Sequence, residues 1–511
     1  MTNARTLTGP LLTGLAALTL VAGGAYAMTD GASEPAASAW TPKSKVTLKH
    51  PDWSRNAVLY QINTRQFTPE GTFKAAQAQL PRLKALGVDI LWLMPIHPIG
   101  KENRKGTLGS PYSVRDYYAV NPEFGSEADF KAFVDAAHAQ GFKVILDLVA
   151  NHTAWDNKLA KEHPDWYEKT WDGQFRPTPW WDWSDIIDLD WTKPGVREHV
   201  GKAMEKWVRD FGVDGYRADV AGYVPLDFWE TMRARLDAIR PVFMLGEVQQ
   251  TAHHFAAFDA SYGWDWHNAA KRIAKGQGNA TGFYGYYAEN ESLWPREAMR
   301  MTYIENHDSN AWEGTLRENY GANLEAMTAL GFTGEGIPLV HNGMEACNMK
   351  RLEFFEKDPI DWSQGEGCDY GALLKELIAL RKANPALANG QWGARMVKVE
   401  TDKPEQLFAW VRQKDQNKVL ALFNFTGAPV TAKLADGLAA GSYREFRGKA
   451  AVTIKSGDSV TVPAHGYRLL STTSAQSAPP IMTEDQGPEG RGLLSTLRSR
   501  AFGGGGGRGG A

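Results

Sequence analysis

The chain has 511 residues, of which 43% are hydrophobic and 23% are charged. These values are ordinary for a folded protein with a large core, and they exclude global disorder and a polytopic membrane protein. The formal net charge is −3, from 56 Lys and Arg against 59 Asp and Glu, so nothing in the charge favours nucleic acid or anionic lipid as a partner. The length allows two or three domains, or one large α/β barrel with additions.

The first 27 residues have the pattern of a secretory signal peptide. Arg5 supplies the positive charge, Leu11–Ala25 is a short apolar run, and Ala25-Tyr26-Ala27 fits a small-x-small cleavage site. The apolar run is too short for a comfortable membrane span, and a retained signal anchor is the alternative. We therefore expect a secreted or periplasmic protein that is free of the membrane after cleavage.

The 2 Cys of the chain are Cys347 and Cys368, and both lie in loop-like sequence. In an oxidising compartment they can form a disulfide that closes a loop of about 20 residues. Two free thiols are the alternative reading of the same pair.

Short apolar or β-branched runs alternate with amphipathic helical stretches from about residue 58 to residue 387. The clear runs predict seven strands, at Val58–Ile62, Ile90–Met94, Val144–Val149, Gly215–Asp219, Val242–Glu247, Met301–Ile304 and Ile337–His341. A weaker eighth run covers Phe258–Tyr262, and Ser126 with Asp129 predicts the start of a helix. Repeated strand–helix units favour a parallel sheet, so the sequence predicts an α/β fold, a (β/α)₈ TIM barrel.

Two segments depart from the strand–helix repeat. After the third strand, a long irregular insert carries Trp155, Trp166, Trp171, Trp180, Trp181, Trp183 and Trp191, over a third of the 19 Trp. Trp suits sugars, whose C–H faces stack on aromatic rings, and a Trp-rich core is the alternative. After about residue 388, alternating runs such as Val419–Phe425 predict a C-terminal antiparallel β-sandwich domain.

These patterns divide the chain into six segments. They are a signal peptide (1–27), a first barrel part (44–152), the Trp-rich insert (153–191), a second barrel part (192–388), the C-terminal β domain (389–474) and a Gly- and Arg-rich tail (475–511). The composition of the tail predicts disorder.

Carboxylates, histidines and an arginine end several predicted strands, where a TIM barrel places its active site. They are Asp147, Asn151, His152, Arg217, Asp219, Glu247, His307 and Asp308. Unrelated charges at strand ends are the alternative, but four such ends would meet at one barrel mouth. Paired carboxylates are typical of glycoside hydrolysis, in which one carboxylate attacks and another donates a proton.

Four blocks of this sequence resemble the conserved regions of the α-amylase superfamily, glycoside hydrolase family 13. They are Asp147-Leu-Val-Ala-Asn151-His152, Gly215-Tyr-Arg217-Ala-Asp219, Gly246-Glu247-Val248 and Glu305-Asn306-His307-Asp308. They occur in the family's order, and the resemblance covers roughly residues 50–472. It implies a retaining hydrolase that cleaves α-1,4-glucosidic bonds in starch-like glucans or maltodextrins. A transglycosidase of the same family and a non-catalytic glucan-binding module are the alternatives.

The resemblance implies a role for each matching catalytic residue. Asp219 is the expected nucleophile, and Glu247 is the expected general acid and then general base, which requires a raised pKa. Asp308 is expected to steady the oxocarbenium-like sugar. In a retaining enzyme the carboxyl groups of Asp219 and Glu247 should lie about 5–5.5 Å apart.

The resemblance also implies the residues that surround the sugar. Tyr112 is the expected stacking platform, and His152 and His307 are expected to hydrogen bond its hydroxyl groups. Arg217 lies two residues before Asp219 on the same strand face and is expected to keep it ionised. Asp147 is expected to order the site.

Asn151 and Asp188 resemble side-chain ligands of a calcium ion, a hard cation that prefers oxygen donors. The alternative is that Asn151 only hydrogen bonds the insert. Gly222 and Tyr223 stand where many members of the family have Lys-His, so one backbone ligand has no matching residue type. We therefore expect a calcium cofactor, an α-glucan or maltooligosaccharide as substrate, and a monomer without a nucleic-acid partner.

Overall fold

The computed structural model describes residues 46–365, 369–435, 437–448 and 450–472. All of these residues belong to one unit, which begins at residue 44. The predicted signal peptide, the predicted tail and Cys368 lie outside the described residues. Within the described ranges, no helix has both the length and the apolar character needed to cross a membrane.

The strands of the described residues are numbered in chain order. They are β1 (Leu59–Ile62), β2 (Ile90–Leu93), β3 (Lys143–Leu148), β4 (His152–Ala154), β5 (Ile186–Asp188), β6 (Gly215–Ala218), β7 (Phe243–Gly246), β8 (Ala260–Tyr262), β9 (Met299–Thr302), β10 (Ile337–His341), β11 (Val397–Lys398), β12 (Leu407–Lys414), β13 (Asn417–Asn424), β14 (Val430–Lys433), β15 (Gly441–Glu445), β16 (Ala451–Ile454), β17 (Ser459–Val462) and β18 (Gly466–Thr472).

The α-helices of the same residues are numbered in the same way. They are α1 (Thr64–Phe67), α2 (Phe73–Ala78), α3 (Leu80–Leu86), α4 (Glu127–Ala139), α5 (Lys158–Glu162), α6 (Pro194–Phe211), α7 (Leu226–Asp237), α8 (Trp264–Ala274), α9 (Thr281–Leu293), α10 (Leu316–Tyr320), α11 (Leu324–Thr333) and α12 (Asp369–Ala383).

A closed barrel of eight parallel strands confirms the predicted (β/α)₈ architecture. The barrel is formed by β1, β2, β3, β6, β7, β8, β9 and β10, and β1 closes it by pairing with both β2 and β10. Both faces of each strand are covered, by side chains inside the barrel and by helices outside it, which explains the nearly continuous apolar runs.

The predicted helix start at Ser126 is confirmed as a capping box on α4. The Ser126 hydroxyl accepts from the backbone N–H of Asp129 at 3.1 Å, and the Asp129 carboxylate accepts from the backbone N–H of Ser126 at 2.8 Å. These two bonds satisfy two of the free N–H groups at the helix start. The buried face of α4, which includes Phe130 and Phe133, then packs on the barrel.

The predicted strand bounds differ from the observed ones by at most two residues, and one barrel strand is displaced by two residues at both ends. The sequence run predicted Met301–Ile304, whereas β9 begins at Met299, because Met299 pairs with Ala260 in the neighbouring strand β8. Arg300 interrupts the apolar run at the true start of the strand, which weakened the sequence signal there. Its side chain is buried on the outer face of the barrel.

The insert after β3 is joined to the barrel mouth by a short hairpin. In it, β4 pairs antiparallel with β5, and His152 lies opposite Asp188. The sequence pattern did not predict these strands, because three residues are too few to show an alternation. The hairpin brings the two ends of the insert together beside the end of β3.

The C-terminal domain is formed by two antiparallel sheets, as predicted. One sheet has the order β11-β12-β13-β18-β15-β16, and the other pairs β14 with β17. Apolar side chains of both sheets, among them Leu420, Leu422, Val430 and Val462, share one buried core. Tyr284 of α9 joins the domain to the barrel, because its hydroxyl donates to the Leu407 carbonyl at 2.9 Å.

Candidate active site

Arg217 lies at the centre of the carboxyl groups in the barrel mouth. It is fully buried in β6, and its Nη1 donates to Asp147 Oδ1 at 2.8 Å and to Asp219 Oδ1 at 2.7 Å. Its Nη2 lies 2.9 Å from Glu247 Oε2. Register and strand periodicity explain this, because Asp147 pairs with Arg217 across β3 and β6, and Asp219 follows two residues later on the same face.

Burial gives Glu247 the protonation state that a general acid needs. Loss of solvent raises the pKa of Glu247 to about 8, against the opposing charge of Arg217 and with support from the charges of Asp219 and Asp308. Glu247 therefore carries a proton at neutral pH. Burial lowers the pKa of Arg217, but the carboxyl groups around it, Asp147 above all, outweigh the burial and hold that pKa well above its usual range.

The backbone after Asp219 decides which oxygen of Glu247 carries the proton. Val220 adopts a left-handed conformation with φ of 35°, which is a strained state for a β-branched residue. In this conformation its N–H donates to Glu247 Oε2 at 2.7 Å. Since Oε2 also faces Arg217, it is an acceptor, and the geometry assigns the proton to Oε1.

Asp308 follows β9 and lies at the rim of the same pocket. Its side chain is 44% exposed, and its Oδ2 lies 3.2 Å from His307 Nε2. Partial desolvation raises the pKa of Asp308 to about 6, and the charge of Asp219 adds to the rise while Arg217 opposes it. Asp308 is therefore an anion at pH 7, at the same pocket as Asp219 and Glu247.

A chain of hydrogen bonds sets the tautomer of His307. Gln61 Nε2 lies 2.7 Å from His307 Nδ1, and Gln61 Oε1 accepts from the His307 backbone N–H at 3.2 Å. Burial and the nearby charge of Arg217 lower the pKa of His307 well below its usual value, so the ring is neutral. Nδ1 is then the acceptor, and Nε2–H donates to the Tyr112 hydroxyl at 2.7 Å.

Tyr112 connects this histidine to the buried carboxylate. Its hydroxyl donates to Asp147 Oδ2 at 3.0 Å, and its ring is stacked on that of His307 with centroids 5.4 Å apart. Asp147 also accepts from Trp92 Nε1 at 3.1 Å. Asp147 thus lies beneath the pocket and accepts from Arg217, Tyr112 and Trp92. These bonds fix the orientation of the three donor side chains.

Sequence reasoning missed three side chains of this network. Gln61 orients His307, Trp92 donates to Asp147, and the Tyr262 hydroxyl accepts from Arg217 Nε at 3.2 Å. A polar or amphipathic residue inside an otherwise apolar barrel strand was the available signal, because such a residue needs a buried partner.

His152 and the predicted calcium ligands lie together on the insert side of the mouth. His152 Nδ1 is 3.2 Å from Asn151 Nδ2, and Asn151 Nδ2 donates to Asp188 Oδ1 at 3.0 Å. The Thr178 hydroxyl donates to the same Asp188 oxygen at 2.5 Å. Asn151 therefore hydrogen bonds the insert through its side-chain nitrogen.

An aromatic group lies on the insert side of the mouth, where the ring of Trp183 is 6.0 Å from that of His152. The rings of Trp181 and Trp183 are stacked with centroids 5.3 Å apart, and Trp181 Nε1 donates to the Tyr223 hydroxyl at 3.0 Å. Trp181 is 54% exposed and Tyr223 is 49% exposed. Tyr223 ends the short helical turn that follows Val220, whose N–H contacts Glu247. We call Trp181, Trp183 and Tyr223 the mouth aromatics.

Family comparison agrees with this geometry. Residues 51–367 match the family described as Alpha amylase, catalytic domain, and residues 397–469 match the Maltogenic Amylase, C-terminal domain. The chain belongs to the α-amylase family. The resemblance found in the four sequence blocks is thus confirmed, and so are the barrel and the C-terminal antiparallel domain of this α-amylase family member.

Two curated relatives show the range of activities that the family includes. The chain is 30% identical over 436 residues to Alpha-amylase MalA of Haloarcula japonica, a match that covers 81% of this chain and 62% of that protein. It is 25% identical over 448 residues to a Cyclomaltodextrinase of a Bacillus species, with 76% of each chain covered. This chain therefore spans less than two thirds of the haloarchaeal protein.

Solved structures of similar proteins cover nearly all of the described fold. A maltogenic alpha-amylase AmyB from Thermotoga neapolitana has a TM-score of 0.75 and 30% identity, covering 82% of this chain and 99% of that one. An alpha-amylase from Lactobacillus plantarum has a TM-score of 0.73 and 31% identity, covering 82% of this chain and 100% of that one.

Proposed function

We propose that this α-amylase family member is a retaining hydrolase of α-1,4-glucosidic bonds in starch-like glucans or maltodextrins. The observation that carries the proposal is the shared guanidinium of Arg217, which contacts the carboxyl groups of both Asp219 and Glu247. A nucleophile and a protonated acid held side by side are what double displacement at a sugar carbon requires.

In the first step, Asp219 attacks the anomeric carbon while the glycosidic C–O bond breaks. The proton on Glu247 Oε1 passes to the departing oxygen, and a glycosyl ester forms on Asp219. The negative charge thereby moves from Asp219 to Glu247. Because both contact Arg217, the guanidinium has an anionic partner before and after the step.

In the second step, the Glu247 carboxylate removes a proton from a water molecule. The water oxygen attacks the anomeric carbon, the ester bond to Asp219 breaks, and the proton restores the acid form of Glu247. Two inversions at the same carbon give a product with the α configuration of the substrate. Asp308 stabilises the positive charge on the sugar in both transition states.

Proton NMR of early maltoheptaose products tests this proposal. We expect glucose or short maltooligosaccharides whose new reducing end is first α and then equilibrates to β. A new reducing end that is first β would contradict double displacement, and intact maltoheptaose would contradict glucan hydrolysis.

The mouth aromatics favour transglycosylation as a second candidate function. A sugar hydroxyl can replace water in the second step if a second sugar binds beside Glu247, and exposed aromatic rings bind sugar faces by stacking. Trp181, Trp183 and Tyr223 offer such rings, because Trp183 lies beside His152 and Tyr223 ends the turn that follows Val220, whose N–H contacts Glu247. At high maltoheptaose concentration we therefore expect products longer than the substrate.

Replacement of one mouth aromatic measures this transfer reaction. Tyr223→Ala should lower the ratio of transfer products to hydrolysis products, because acceptor sugar binds less well while water still reaches the glycosyl enzyme. Trp171→Ala is the control, since Trp171 is a 98% exposed aromatic of the insert and is not one of the mouth aromatics. An unchanged ratio in Tyr223→Ala, or an equal fall in the control, would argue against an acceptor role.

We propose further that Asn151 and Asp188 contribute to a calcium site. Their oxygens and the Thr178 hydroxyl line one cavity of about 540 Å³ together with Glu168 and Asp190, so the donor chemistry suits a hard cation. Among the described residues, no group of three or more His, Cys, Asp or Glu side chains is arranged to hold a metal ion. Neutral oxygens and water would therefore complete the coordination, and the cation would tie the insert to the barrel.

Chelation tests the calcium proposal. If calcium binds only the folded protein, its removal should lower the Tm. At a hundredfold excess of calcium over its Kd, the free energy of unfolding lost on removal is about 2.7 kcal/mol. Asp188→Asn should abolish the difference between chelator and millimolar calcium, while Asp135→Asn, on an exposed surface of α4, should keep it. An identical Tm of the unaltered chain in both conditions would contradict the proposal.

We propose that the mature protein begins after residue 27, is secreted or periplasmic, and acts as a monomer. The support for export is the sequence pattern of residues 1–27. Cys347 is disulfide-bonded, in agreement with the predicted cystine and with an oxidising compartment. N-terminal sequencing of the exported protein and light scattering of the purified chain test cleavage and oligomeric state.

A further inference from the structure

A loop after β2 joins the insert to the segment that follows β10. Its two ends meet in a short antiparallel pairing, in which Ile99 lies opposite Val114 and the Gly100 N–H donates to the Ser113 carbonyl at 2.9 Å. We call residues 101–109 the strap. Tyr112, whose ring is stacked on that of His307, follows the strap closely in the chain.

One end of the strap is bonded to the segment after β10. The Thr107 N–H donates to Glu356 Oε1 at 2.6 Å, and the Thr107 hydroxyl donates to Glu356 Oε2. The Leu108 N–H donates to the Phe355 carbonyl at 3.2 Å. Gly106 has a φ of 63°, and a Cβ at this position would lie 2.6 Å from Phe355 Cβ. The strap therefore touches this segment so closely that only glycine fits at the contact.

The other contact of the strap is with the insert. Lys105 Nζ donates to the Asp182 carbonyl oxygen and lies 3.6 Å from Asp182 Oδ1. Asp182 stands between Trp181 and Trp183 in the chain, so the strap meets the insert at the mouth aromatics.

Two arginines hold the strap in this position. Arg65 of α1 is 2% exposed, and its Nη1 donates to the Gly109 carbonyl at 2.9 Å. Arg104 lies within the strap and donates to the Gly100 carbonyl at 2.7 Å and to the Thr107 carbonyl at 3.2 Å. Moving the strap would leave the buried donor of Arg65 without this acceptor, which makes displacement costly.

Each contact of the strap lies next to an aromatic side of the pocket. On one side, the rings of Tyr112, His307 and Phe354 are within 26° of parallel, with centroids 5.4 to 6.3 Å apart. On the other side, Trp183 lies beside His152. The strap therefore joins the side of the mouth that carries Phe354 to the side that carries Trp183.

The proposed reaction places the non-reducing part of the substrate on the side of the strap. Asp219 keeps one sugar as an ester, and Glu247 gives its proton to the part that departs. Sugars attached to O4 of the kept unit extend away from Glu247, towards the rings of Tyr112 and Phe354, on which sugar faces can stack. The strap is bonded to the residues that follow Phe354, so it crosses the path of these sugars.

We propose that the strap closes the end of the pocket that receives the non-reducing end of the glucan. The inference rests on the proposed hydrolysis of α-1,4-glucans. Only a few sugars then fit between the strap and the bond that is cleaved. The protein therefore cleaves near non-reducing ends and releases short products, and it does not cut inside long chains.

A substrate that is blocked at its non-reducing end tests the inference. The products of 4-nitrophenyl α-maltoheptaoside are compared by chromatography with those of the same compound carrying an ethylidene group across O4 and O6 of its terminal sugar. The unaltered chain should cleave the first compound and leave the second intact, because the added group meets the strap. A clash of this kind excludes a ligand without weakening the binding of the correct one.

Two variants should open the closed end. Glu356→Ala removes both bonds from Thr107, and Gly106→Val places a side chain where Phe355 stands. Each should gain cleavage of the blocked compound and keep its rate on the short substrate 4-nitrophenyl α-maltoside. Glu353→Ala is the matched control, since Glu353 is an exposed glutamate of the same segment. It should leave the blocked compound intact.

The outcomes separate the strap from the reaction itself. Equal rates of the unaltered chain on the blocked and unblocked compounds would overturn the inference while glucan hydrolysis stands. So would a blocked compound that stays intact in both opened variants although they cleave the unblocked one. If the unaltered chain cleaves neither compound, the proposed hydrolysis fails, and the role of the strap fails with it.

Discussion

Asp219→Asn is expected to lower kcat on maltodextrins roughly 10⁴- to 10⁶-fold. This is the range found when one residue of a set of cooperating catalytic residues is replaced. The amide has the shape of the carboxyl group and keeps an oxygen for the bond from Arg217 Nη1. It does not carry the negative charge that attacks the anomeric carbon. Initial rates of reducing-sugar release measure the change.

The matched control for this substitution is Asp135→Asn. Asp135 forms an exposed pair with Lys131 on α4, and its side chain is 59% exposed. Surface pairs of this kind contribute at most about 1 kcal/mol to stability. Unchanged activity in Asp135→Asn, together with a native-like melting curve for Asp219→Asn, assigns the loss to chemistry. Near-normal turnover by Asp219→Asn would place the nucleophile elsewhere.

Azide rescue distinguishes the two carboxyl roles. In Asp219→Gly, azide can enter the vacated space and attack the opposite face from the leaving group, which should convert an activated aryl α-glucoside into a β-glycosyl azide. An α-glycosyl azide from this variant would mean that Asp219 is not the attacking group.

The sequence alone predicted much of the catalytic geometry, for a local reason. Strand ends are visible as the limits of apolar runs, and all barrel strands point their carboxyl ends to one mouth. The spacing of Arg217 and Asp219 by two residues places both on one face without knowledge of the fold. Glu247 follows the last residue of β7 directly, so the sequence also predicted its position at the mouth.

The contacts between strands could not be predicted in the same way. The pairing of Asp147 with Arg217 depends on the register of β3 against β6, which barrel closure sets. Gln61 orients His307 across 246 positions of the chain. Arg300 broke the apolar run of β9 and displaced the predicted strand, because a single sequence does not reveal a buried charge.

Glu247→Gln is expected to lower kcat on maltodextrins by roughly 10²- to 10⁴-fold, the usual contribution of a general acid. Its amide cannot deliver a proton to the departing sugar oxygen. The first step should be affected far less with a 4-nitrophenyl glycoside, because nitrophenolate departs without protonation. A comparison of both substrates in single-turnover experiments measures this difference.

The pH profile gives an independent readout of the same group. Glu247 must be protonated for the first step, and burial raises its pKa to about 8. The kcat/KM of the unaltered chain should therefore be sustained at neutral pH and fall as the pH rises through about 8. In Glu247→Gln this alkaline limb should be absent, since the amide does not titrate.

Glu198→Gln serves as the control, because Glu198 lies on the surface of α6 with half of its side chain exposed. It should keep both the rate and the alkaline limb. If Glu247→Gln loses activity but keeps the alkaline limb, another group supplies the proton and Glu247 only positions Val220 or Arg217. If the rates on both substrates fall equally, the substitution has disturbed the geometry of the site rather than proton transfer. Selective rescue by the good leaving group, together with the lost limb, identifies Glu247 as the source of the proton.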